Sequence, residues 1–304
     1  MNIEEIKRKL LPYIDEDRVL EHEPMDIHTS FRCGGSADLY VVPANIAELF
    51  SVRELLLKEG MPHIIMGNGS NLLFLDGGYR GVVVKLGEGI DRVRFEGNIV
   101  FAEPGVGLAA LSRQAMKEGR SGLEFACGIP GSLGGAVYMN AGAYGGSISD
   151  LVVSVASLNS YGIMQDRKAE DCEFGYRNSI FAKNEEMIVG IKLQLGEDLP
   201  ARIEERMVEL TERRNAKQPV NMPSAGSFFK RPEGDFAGRL IEEAGLKGLR
   251  VGGAMVSPLH AGFIVNAGGA TTRDVIDLMT IVRETVAERS GIVLEPEVQI
   301  VGEE

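Results

Sequence analysis

The sequence predicts an α+β fold, and three observations lead to this class. Amphipathic helical segments and short apolar strands follow one another in mixed order, without the steady β-α-β alternation of a doubly wound sheet. Glycine accounts for 38 of the 304 residues, well above the usual share of about 7%, and no collagen-like period accompanies it. At this length two or three domains are expected rather than one.

Helices are predicted where apolar residues recur at helical spacing. The first begins at Ile3 and is stopped by Pro12. Gly60 and Gly291 are expected to end two later helices, and Thr271 is the expected N-cap of the last. The later helices are predicted over 46–60, 108–119, 201–219, 236–244 and 271–291.

Strands are predicted from short apolar or alternating runs bounded by turn residues. Residues 92–104 predict a hairpin that turns near Gly97 and Asn98. The last strand, within 292–302, is interrupted at Pro296. The other strands are predicted within 28–43, 63–66, 81–86, 150–166, 187–195 and 250–269.

Charge and composition exclude several classes of protein. The net charge of −12 argues against general nucleic-acid binding. The cysteines, Cys33, Cys127 and Cys172, lack a C-x-x-C pair, which is typical of a reducing cytoplasm and excludes a disulfide framework. The four histidines lack metal-ligand spacing, so no metal is expected. Without a signal peptide or an apolar run long enough for a membrane span, a soluble cytoplasmic protein is predicted.

Three glycine loops are candidates for holding a phosphate group. The first is GNGSN at 67–71, and the third is CGIPGSLGGAVYMNAGAYGG at 127–146. In the second, Gly105-x-Gly107-x-x-Ala110 matches the dinucleotide-binding fingerprint between a predicted strand and helix. That strand looks like half of an antiparallel hairpin rather than the start of a parallel unit. A plain strand–turn–helix is therefore the favoured interpretation of the second loop.

The third loop can bind an anion without any charged side chain. It lacks the GK[ST] of a P-loop. Its glycines let backbone N–H groups approach a bulky ligand, and clustered N–H groups attract anions. Pro130 stiffens the turn, and Ser132 adds a hydroxyl donor. A diphosphate fits this loop, and a close-packed glycine crossing fits the same residues equally well.

A few polar residues stand out as candidates for chemistry, each with a plain alternative. Arg177 in GYRNS suits bidentate carboxylate binding, although a surface arginine explains it as well. Ser227 in SAGSFFKR is a further candidate, with a turn residue as its plain alternative; Phe229 breaks the G-x-S-x-G pattern of hydrolases, so a hydrolytic serine is not expected. Glu295 and Glu297 flank Pro296 on one face of a strand, where exposed edge carboxylates are the alternative.

The ordered set of motifs resembles the UDP-N-acetylenolpyruvoylglucosamine reductase (MurB) family across nearly the whole chain. GIPGSLGGA and SAGSFFK are specific, and GNGSN and YRNS moderately so. No extra segment is evident between 178 and 230, so the chain resembles the shorter type without the inserted tyrosine loop. The motifs are HTSFRCGG, GNGSNLL, GIPGSLGGA, YMNAGAYGG, FGYRNS, PSAGSFFKRP, HAGFIVN and LEPEVQ.

The resemblance implies two domains and a flavin cofactor. Residues 1–200 would form an FAD-binding domain of the vanillyl-alcohol-oxidase/PCMH type, with lobes over about 1–86 and 87–200. Residues 201–304 would form an α+β substrate-binding domain. FAD would be held noncovalently, although Cys127 precedes the third loop. The residues expected at FAD are Gly67, Asn68, Gly69, Ser70, Asn71, Gly128, Ile129, Gly131, Ser132, Gly134 and Gly135.

The resemblance also implies the reaction and its residues. NADPH would reduce the flavin, which would pass hydride to UDP-N-acetylglucosamine enolpyruvate in peptidoglycan precursor synthesis. Ser227 would protonate the adjacent carbon, Arg177 would stabilise the developing enolate, and Glu297 would be protonated or orient other donors. The residues expected at the UDP-sugar are Tyr176, Arg214, Lys217, Lys230, Arg231 and Asn266.

Two other functions remain open for the sequence. A flavin oxidase or dehydrogenase acting on a sugar alcohol would need a base, whereas Ser227, Arg177 and Glu297 suit protonation of a carbanion. A non-catalytic UDP-sugar-binding regulator would be favoured by loss of these three residues, and all three are present. A monomer is expected, with a small-molecule UDP-sugar as its partner and neither nucleic acid nor membrane.

Overall fold

The computed structural model describes residues 3–304 and has an α+β architecture. Its helices are α1 Ile3–Leu10, α2 Ile46–Lys58, α3 Leu108–Lys117, α4 Leu133–Tyr138, α5 Ile180–Lys183, α6 Pro200–Lys217, α7 Ala237–Glu243 and α8 Thr272–Ser290. Its strands are β1 Val19–Pro24, β2 Ser36–Val41, β3 His63–Met66, β4 Leu72–Phe74, β5 Tyr79–Lys85, β6 Val93–Glu96, β7 Ile99–Ala102, β8 Arg120–Ser121, β9 Gly142–Ala143, β10 Gly146–Ser147, β11 Val152–Leu158, β12 Met164–Lys168, β13 Met187–Gln194, β14 Gly196–Glu197, β15 Arg250–Val251, β16 Ala254–Val256, β17 Ile264–Asn266 and β18 Gln299–Val301.

The chain forms two compact units that are not simply its first and second parts. The first unit comprises the described residues up to Glu21 together with 39–68 and 81–213. The second comprises 22–38, 69–80 and 214–304. This differs from the consecutive division at 200 that the sequence predicts. A change of composition marks the start of α6, but it does not show which distant segments pair with the C-terminal part.

The four-stranded sheet has strand order β1-β2-β5-β3, and most of its residues belong to the first unit. β3 and β5 run parallel, with Met66 in register with Lys85. Helices α1 and α2 supply buried apolar side chains to the core at this sheet, among them Leu10 and Leu49. Because parallel strands end at the same edge of a sheet, the first glycine loop begins beside the end of β5.

The first unit also contains a five-stranded antiparallel sheet with order β12-β11-β13-β7-β6. β6 and β7 form the predicted hairpin, with Phe95 opposite Val100. β7 also pairs antiparallel with β13. Side chains of the sheet pack with those of α3 and α4, including Leu111 and Leu133. The antiparallel pairing of β7 confirms the interpretation of the second glycine loop as a plain strand–turn–helix rather than a dinucleotide-binding unit.

The second unit combines the sheet β15-β16-β17 with α7 and α8. The core of this unit includes Phe31, Phe228 and Phe229. The Phe31 and Phe228 rings meet edge to face at 6.4 Å between centroids. A separate parallel pair, β4 with β18, joins residues 72–74 to the C-terminal end of the chain. This pairing explains why the segment 69–80 belongs to the second unit.

Two separate side chains cap the N-terminus of helix α8. Thr271 is the N-cap, as predicted, and its hydroxyl accepts a hydrogen bond from the Asp274 backbone N–H at 3.1 Å. The carboxylate of Asp76, from the distant 69–80 segment, accepts from the N–H groups of Thr272 at 2.9 Å and Arg273 at 2.8 Å. A carboxylate at this helix end also interacts favourably with the helix dipole.

We expect Asp76→Ala to lower the free energy of unfolding by about 1–2 kcal/mol, because two helix N–H groups lose their acceptor. Asp277→Ala is the matched control, since it removes an exposed carboxylate of the same helix that pairs with Arg273 at 3.0 Å. The control should cost about 0.5 kcal/mol or less. Urea unfolding measures both changes. Equal losses for the two variants would contradict a capping role for Asp76.

Eight of the helices and strands are absent from the sequence prediction: β1, β4, β8, β9, β10, β14, α4 and α5. The predicted final strand shortens to Gln299–Val301. Before it, Pro296 forms only an isolated antiparallel bridge with Phe229, since a proline cannot donate to a β-ladder. Other predicted ends agree with the structure, including the left-handed Gly291 after α8 with φ of 73°.

Candidate active site

The first and third glycine loops touch each other in the first unit. The side chain of Asn68 donates to the carbonyl of Pro130 at 3.0 Å. A Cβ added to Gly67 would lie 2.0 Å from the Ser132 hydroxyl oxygen and 2.9 Å from its Cβ. Only a glycine allows this approach. The two motifs, which are 62 residues apart in sequence at Asn68 and Pro130, therefore form one structure.

The second glycine loop joins the same cluster. Gly107 and Ser132 form an antiparallel bridge, and the N–H of Gly134 donates to the carbonyl of Pro104 at 2.8 Å. A Cβ on Gly134 would lie 2.7 Å from the Pro104 Cβ. The second loop thus packs against the third loop through backbone contacts. Its glycine pattern reflects this packing.

The loops fit the anionic part of a dinucleotide cofactor. Ser132 caps α4 by accepting from the Gly135 N–H at 3.3 Å. Gly135 itself is exposed, and no charged side chain occurs from Gly128 to Gly135. A glycine loop whose backbone is not covered by side chains lets a diphosphate approach its N–H groups. Three of the predicted FAD residues fit this role less well, because the N–H groups of Ile129, Gly134 and Gly135 already donate to Ala126, Pro104 and the Ser132 hydroxyl.

Lys85 lies beside the first loop and is not among the site residues predicted from the sequence. Its ammonium donates to the Gly67 carbonyl at 2.6 Å and contacts the Asn68 side-chain oxygen at 3.4 Å. Burial lowers the pKa of Lys85 to about 8, because a desolvated ammonium is disfavoured. The signal in the sequence was positional: Lys85 ends an apolar strand parallel to the one that leads into Gly67.

Arg177 occupies a tight turn of the first unit. Gly175 and Asn178 exchange backbone hydrogen bonds at 3.0 and 3.4 Å across it. Arg177 has a left-handed φ of 52°, which is uncommon for a residue other than glycine. Its guanidinium lies 5.3 Å from the ring of Tyr176 and 3.4 Å from the Gly142 carbonyl. Backbone strain of this kind is found at functional sites more often than elsewhere.

Ser227 and Glu297 lie on two segments that pair in the second unit. The N–H of Glu297 donates to the carbonyl of Phe228 at 2.8 Å, so the two segments run antiparallel next to Ser227. Phe228 and Phe229 are buried, whereas Ser227 is exposed. The buried rings thus fix the backbone that presents the Ser227 hydroxyl. Arg177 belongs to the other unit.

The end of the first glycine loop holds the Glu297 segment. Gly69, Ser70 and Asn71 belong to the second unit. The Asn71 side chain donates to the Glu297 carbonyl at 3.1 Å, and Asn71 accepts from the Gln299 N–H at 3.0 Å. Asn71 therefore positions the segment just before β18 that carries Glu297, a role that its motif does not indicate.

The residues predicted to bind the UDP-sugar lie in different local environments. Lys230 pairs with Glu295 at 3.2 Å, and both side chains are exposed. The Arg231 guanidinium stacks 4.5 Å over the Phe236 ring. Arg214 and Lys217 lie in the last turn of α6. Tyr176 neighbours Arg177 and is 56% exposed.

Asn266 has a structural role in this fold. Its side-chain N–H groups donate to the carbonyls of Phe31 at 3.2 Å and Arg32 at 3.1 Å. Its oxygen accepts from the N–H groups of Gly268 at 3.0 Å and Ala270 at 3.1 Å. These four bonds use the whole hydrogen-bonding capacity of the amide, which is 8% exposed. We therefore remove Asn266 from the predicted sugar-binding set.

Within residues 3–304 no group of three or more His, Cys, Asp or Glu side chains is arranged to hold a metal ion. No helix in the same range is both long and apolar enough to cross a membrane.

Comparison with known proteins matches both parts of the chain. Residues 37–166 match the model of an FAD binding domain, and residues 218–301 match the C-terminal domain of UDP-N-acetylenolpyruvoylglucosamine reductase. The reductase of Alkaliphilus oremlandii is 50% identical over 297 residues, which cover 98% of each chain. That of Clostridioides difficile is 44% identical over the full length of both chains.

Solved structures agree with these matches. The crystal structure of UDP-N-acetylenolpyruvylglucosamine reductase from Thermus caldophilus has a TM-score of 0.80 and 35% identity, and covers 93% of this chain and 98% of its own. An alkyldihydroxyacetonephosphate synthase structure shares the fold of 65% of this chain and 41% of its own, with a TM-score of 0.51 and 18% identity. The fold and the glycine loops define an FAD-dependent oxidoreductase. Within that class, the chain belongs to the UDP-N-acetylenolpyruvoylglucosamine reductase family.

Proposed function

We propose that this protein reduces the enolpyruvyl group of UDP-N-acetylglucosamine enolpyruvate to give UDP-N-acetylmuramate, a step in peptidoglycan precursor synthesis. NADPH is the proposed hydride donor, and FAD is proposed to bind noncovalently. The observation that carries the proposal is the pairing of the Ser227 and Glu297 segments, supported by family membership over the full chain.

The glycine loops are proposed to hold the diphosphate of FAD. The chemistry that FAD supplies when bound is hydride transfer. The residues of the chain orient that cofactor: Gly67 and Ser132 meet too closely for any side chain between them, and Asn68 ties the two loops together. We propose that their backbone N–H groups bind the phosphate oxygens.

Ser227 is proposed to complete the reduction as a general acid. Adding hydride to one carbon of the enolpyruvyl double bond leaves negative charge that spreads onto the neighbouring carboxylate. The Ser227 hydroxyl would give its proton to the carbon beside that carboxylate, which balances hydride and proton across the double bond. A serine is a weak acid, so this role demands accurate placement, and the buried Phe228 and Phe229 supply it.

Arg177 and Glu297 are proposed to control the charge of the intermediate. The planar guanidinium of Arg177 suits a carboxylate and would stabilise the enolate as its charge grows. An ionised Glu297 would oppose that charge, so we propose that Glu297 acts in its protonated form or orients other donors. The Asn71 side chain donates to the backbone carbonyl of Glu297. This bond restricts the positions that the Glu297 carboxyl group can reach.

Anaerobic spectroscopy tests the proposed function directly. The purified protein should be yellow, lose its visible flavin absorption on addition of NADPH, and regain it on addition of UDP-N-acetylglucosamine enolpyruvate. A protein that cannot take up FAD would contradict the assignment of the glycine loops. A flavoprotein that NADPH reduces but the enolpyruvyl sugar does not reoxidise would contradict the proposed substrate and favour the oxidase alternative.

A further inference from the structure

Lys85 is a half-buried lysine whose ammonium lies against the first glycine loop. Among residues 3–304, no carboxylate forms an ion pair with it. By contrast, Lys7 pairs with Glu21 at 2.5 Å and Lys183 with Glu173 at 2.6 Å. Both of those pairs lie on the protein surface, where water also screens the charges. Lys85 is half-buried, yet it has only uncharged oxygens as its contacts.

We propose that Lys85 supplies the positive charge that offsets the diphosphate of the bound cofactor, acting at the junction of the first and third glycine loops. This inference rests on the proposed flavin function. The loops themselves carry no cationic side chain, and a diphosphate brings about two negative charges at neutral pH. A partly desolvated ammonium beside the loops is the charge that such a site needs.

The hydrogen bonds of Lys85 place its charge at that junction. The ammonium donates to the Gly67 carbonyl at 2.6 Å, and Asn68, which it contacts at 3.4 Å, donates in turn to Pro130 of the third loop. An ammonium has three hydrogens, so these two contacts leave one for a further acceptor. The lysine stem also runs past Gly87, where an added Cβ would lie 3.5 Å from its Cε.

Burial of the Lys85 ammonium is energetically unfavourable unless an anion binds beside it. Burial alone lowers the pKa of Lys85 to about 8, and no neighbouring charge contributes to that shift. On the adjacent strand β3, the residue in register is the apolar Met66. A group that is unfavourable in the free protein and becomes favourable with ligand is typical of a binding site rather than of a stabilising contact.

Three variants separate the charge of Lys85 from its hydrogen bond. Lys85→Met removes both, Lys85→Gln keeps a donor without charge, and Lys85→Arg keeps the charge. We expect the dissociation constant for FAD, measured by flavin fluorescence on the apoprotein, to rise about 10- to 100-fold for Met and Gln and less than about fivefold for Arg. The apoprotein of Lys85→Met should melt at the wild-type temperature or above it, because a desolvated charge is gone.

Lys192→Met is the matched control, because Lys192 also lies on a strand of the first unit and its ammonium lies 5.6 Å from the centre of the Phe101 ring. It should bind FAD as the wild type does. Wild-type affinity of Lys85→Gln would overturn the proposal and favour a hydrogen-bonding role. Wild-type affinity of Lys85→Met, or equally weak binding by all three variants, would also overturn it. If the wild-type protein itself failed to bind FAD, the proposed function would fail, which is a different outcome.

Discussion

Ser227→Ala should lower the turnover of the enolpyruvyl sugar by about 10²- to 10⁴-fold, the usual contribution of a positioned general acid. Reduction of the flavin by NADPH should continue at the wild-type rate. The reason is that only the second half of the proposed reaction needs a proton from the protein at a substrate carbon. Stopped-flow absorbance of the flavin, recorded anaerobically, measures the two halves separately.

Ser224→Ala is the matched control for Ser227→Ala, since both serines lie in the same loop. Ser224 holds the loop through its backbone: its carbonyl accepts from the Ser30 hydroxyl at 2.6 Å and its N–H donates to the Ser30 carbonyl at 3.1 Å. These bonds survive the change to alanine, so both half-reactions should stay at wild-type rates. Equal slowing of both halves in Ser227→Ala would point to cofactor placement and contradict a proton-donating role.

The sequence predicts local structure well where one segment contains its own signal. Helix α8 has its capping threonine and its terminal glycine directly at its two ends, and both lie where the sequence predicts them. The β6–β7 hairpin likewise turns at Gly97, as its local pattern indicates. The missed strands β1 and β4 are different, because a three-residue strand such as β4 is defined by its partner β18, more than 200 residues later.

The candidate site is likewise predictable from the sequence only where a local motif marks its residues. The motifs predict Ser227 and Gly67 as site residues, but they do not reveal that the Asn71 side chain donates to the carbonyl of Glu297. The motif of Asn266 predicts a place at the sugar, whereas its amide binds two carbonyls of a distant segment and two N–H groups of its own loop. Lys85 lacks a motif altogether. Its position becomes visible only when the parallel pairing of β3 with β5 is known.

Gly67→Ala should weaken FAD binding at least about tenfold, which corresponds to about 1.4 kcal/mol. The new methyl group would lie 2.0 Å from the Ser132 hydroxyl oxygen and 2.9 Å from the Ser132 Cβ. Rotating the hydroxyl away would relieve only the first of these contacts and would cost the hydrogen bond that caps α4. The first and third loops must therefore move apart, and the backbone donors proposed for the diphosphate move with them.

A double-mutant cycle isolates the contact between the two loops. Ser132→Gly removes both atoms that the new methyl group would strike, and glycine is itself a tolerated N-cap that costs only a few tenths of a kcal/mol. Gly67→Ala combined with Ser132→Gly should therefore recover most of the FAD affinity that Gly67→Ala loses, an interaction of about 1 kcal/mol or more. Gly190→Ala is the control, because its added Cβ meets only the Ala156 Cβ, at an ordinary 3.6 Å. Wild-type affinity for Gly67→Ala would mean that the cofactor does not depend on the junction of these loops, and strictly additive losses in the cycle would mean that the two residues act separately.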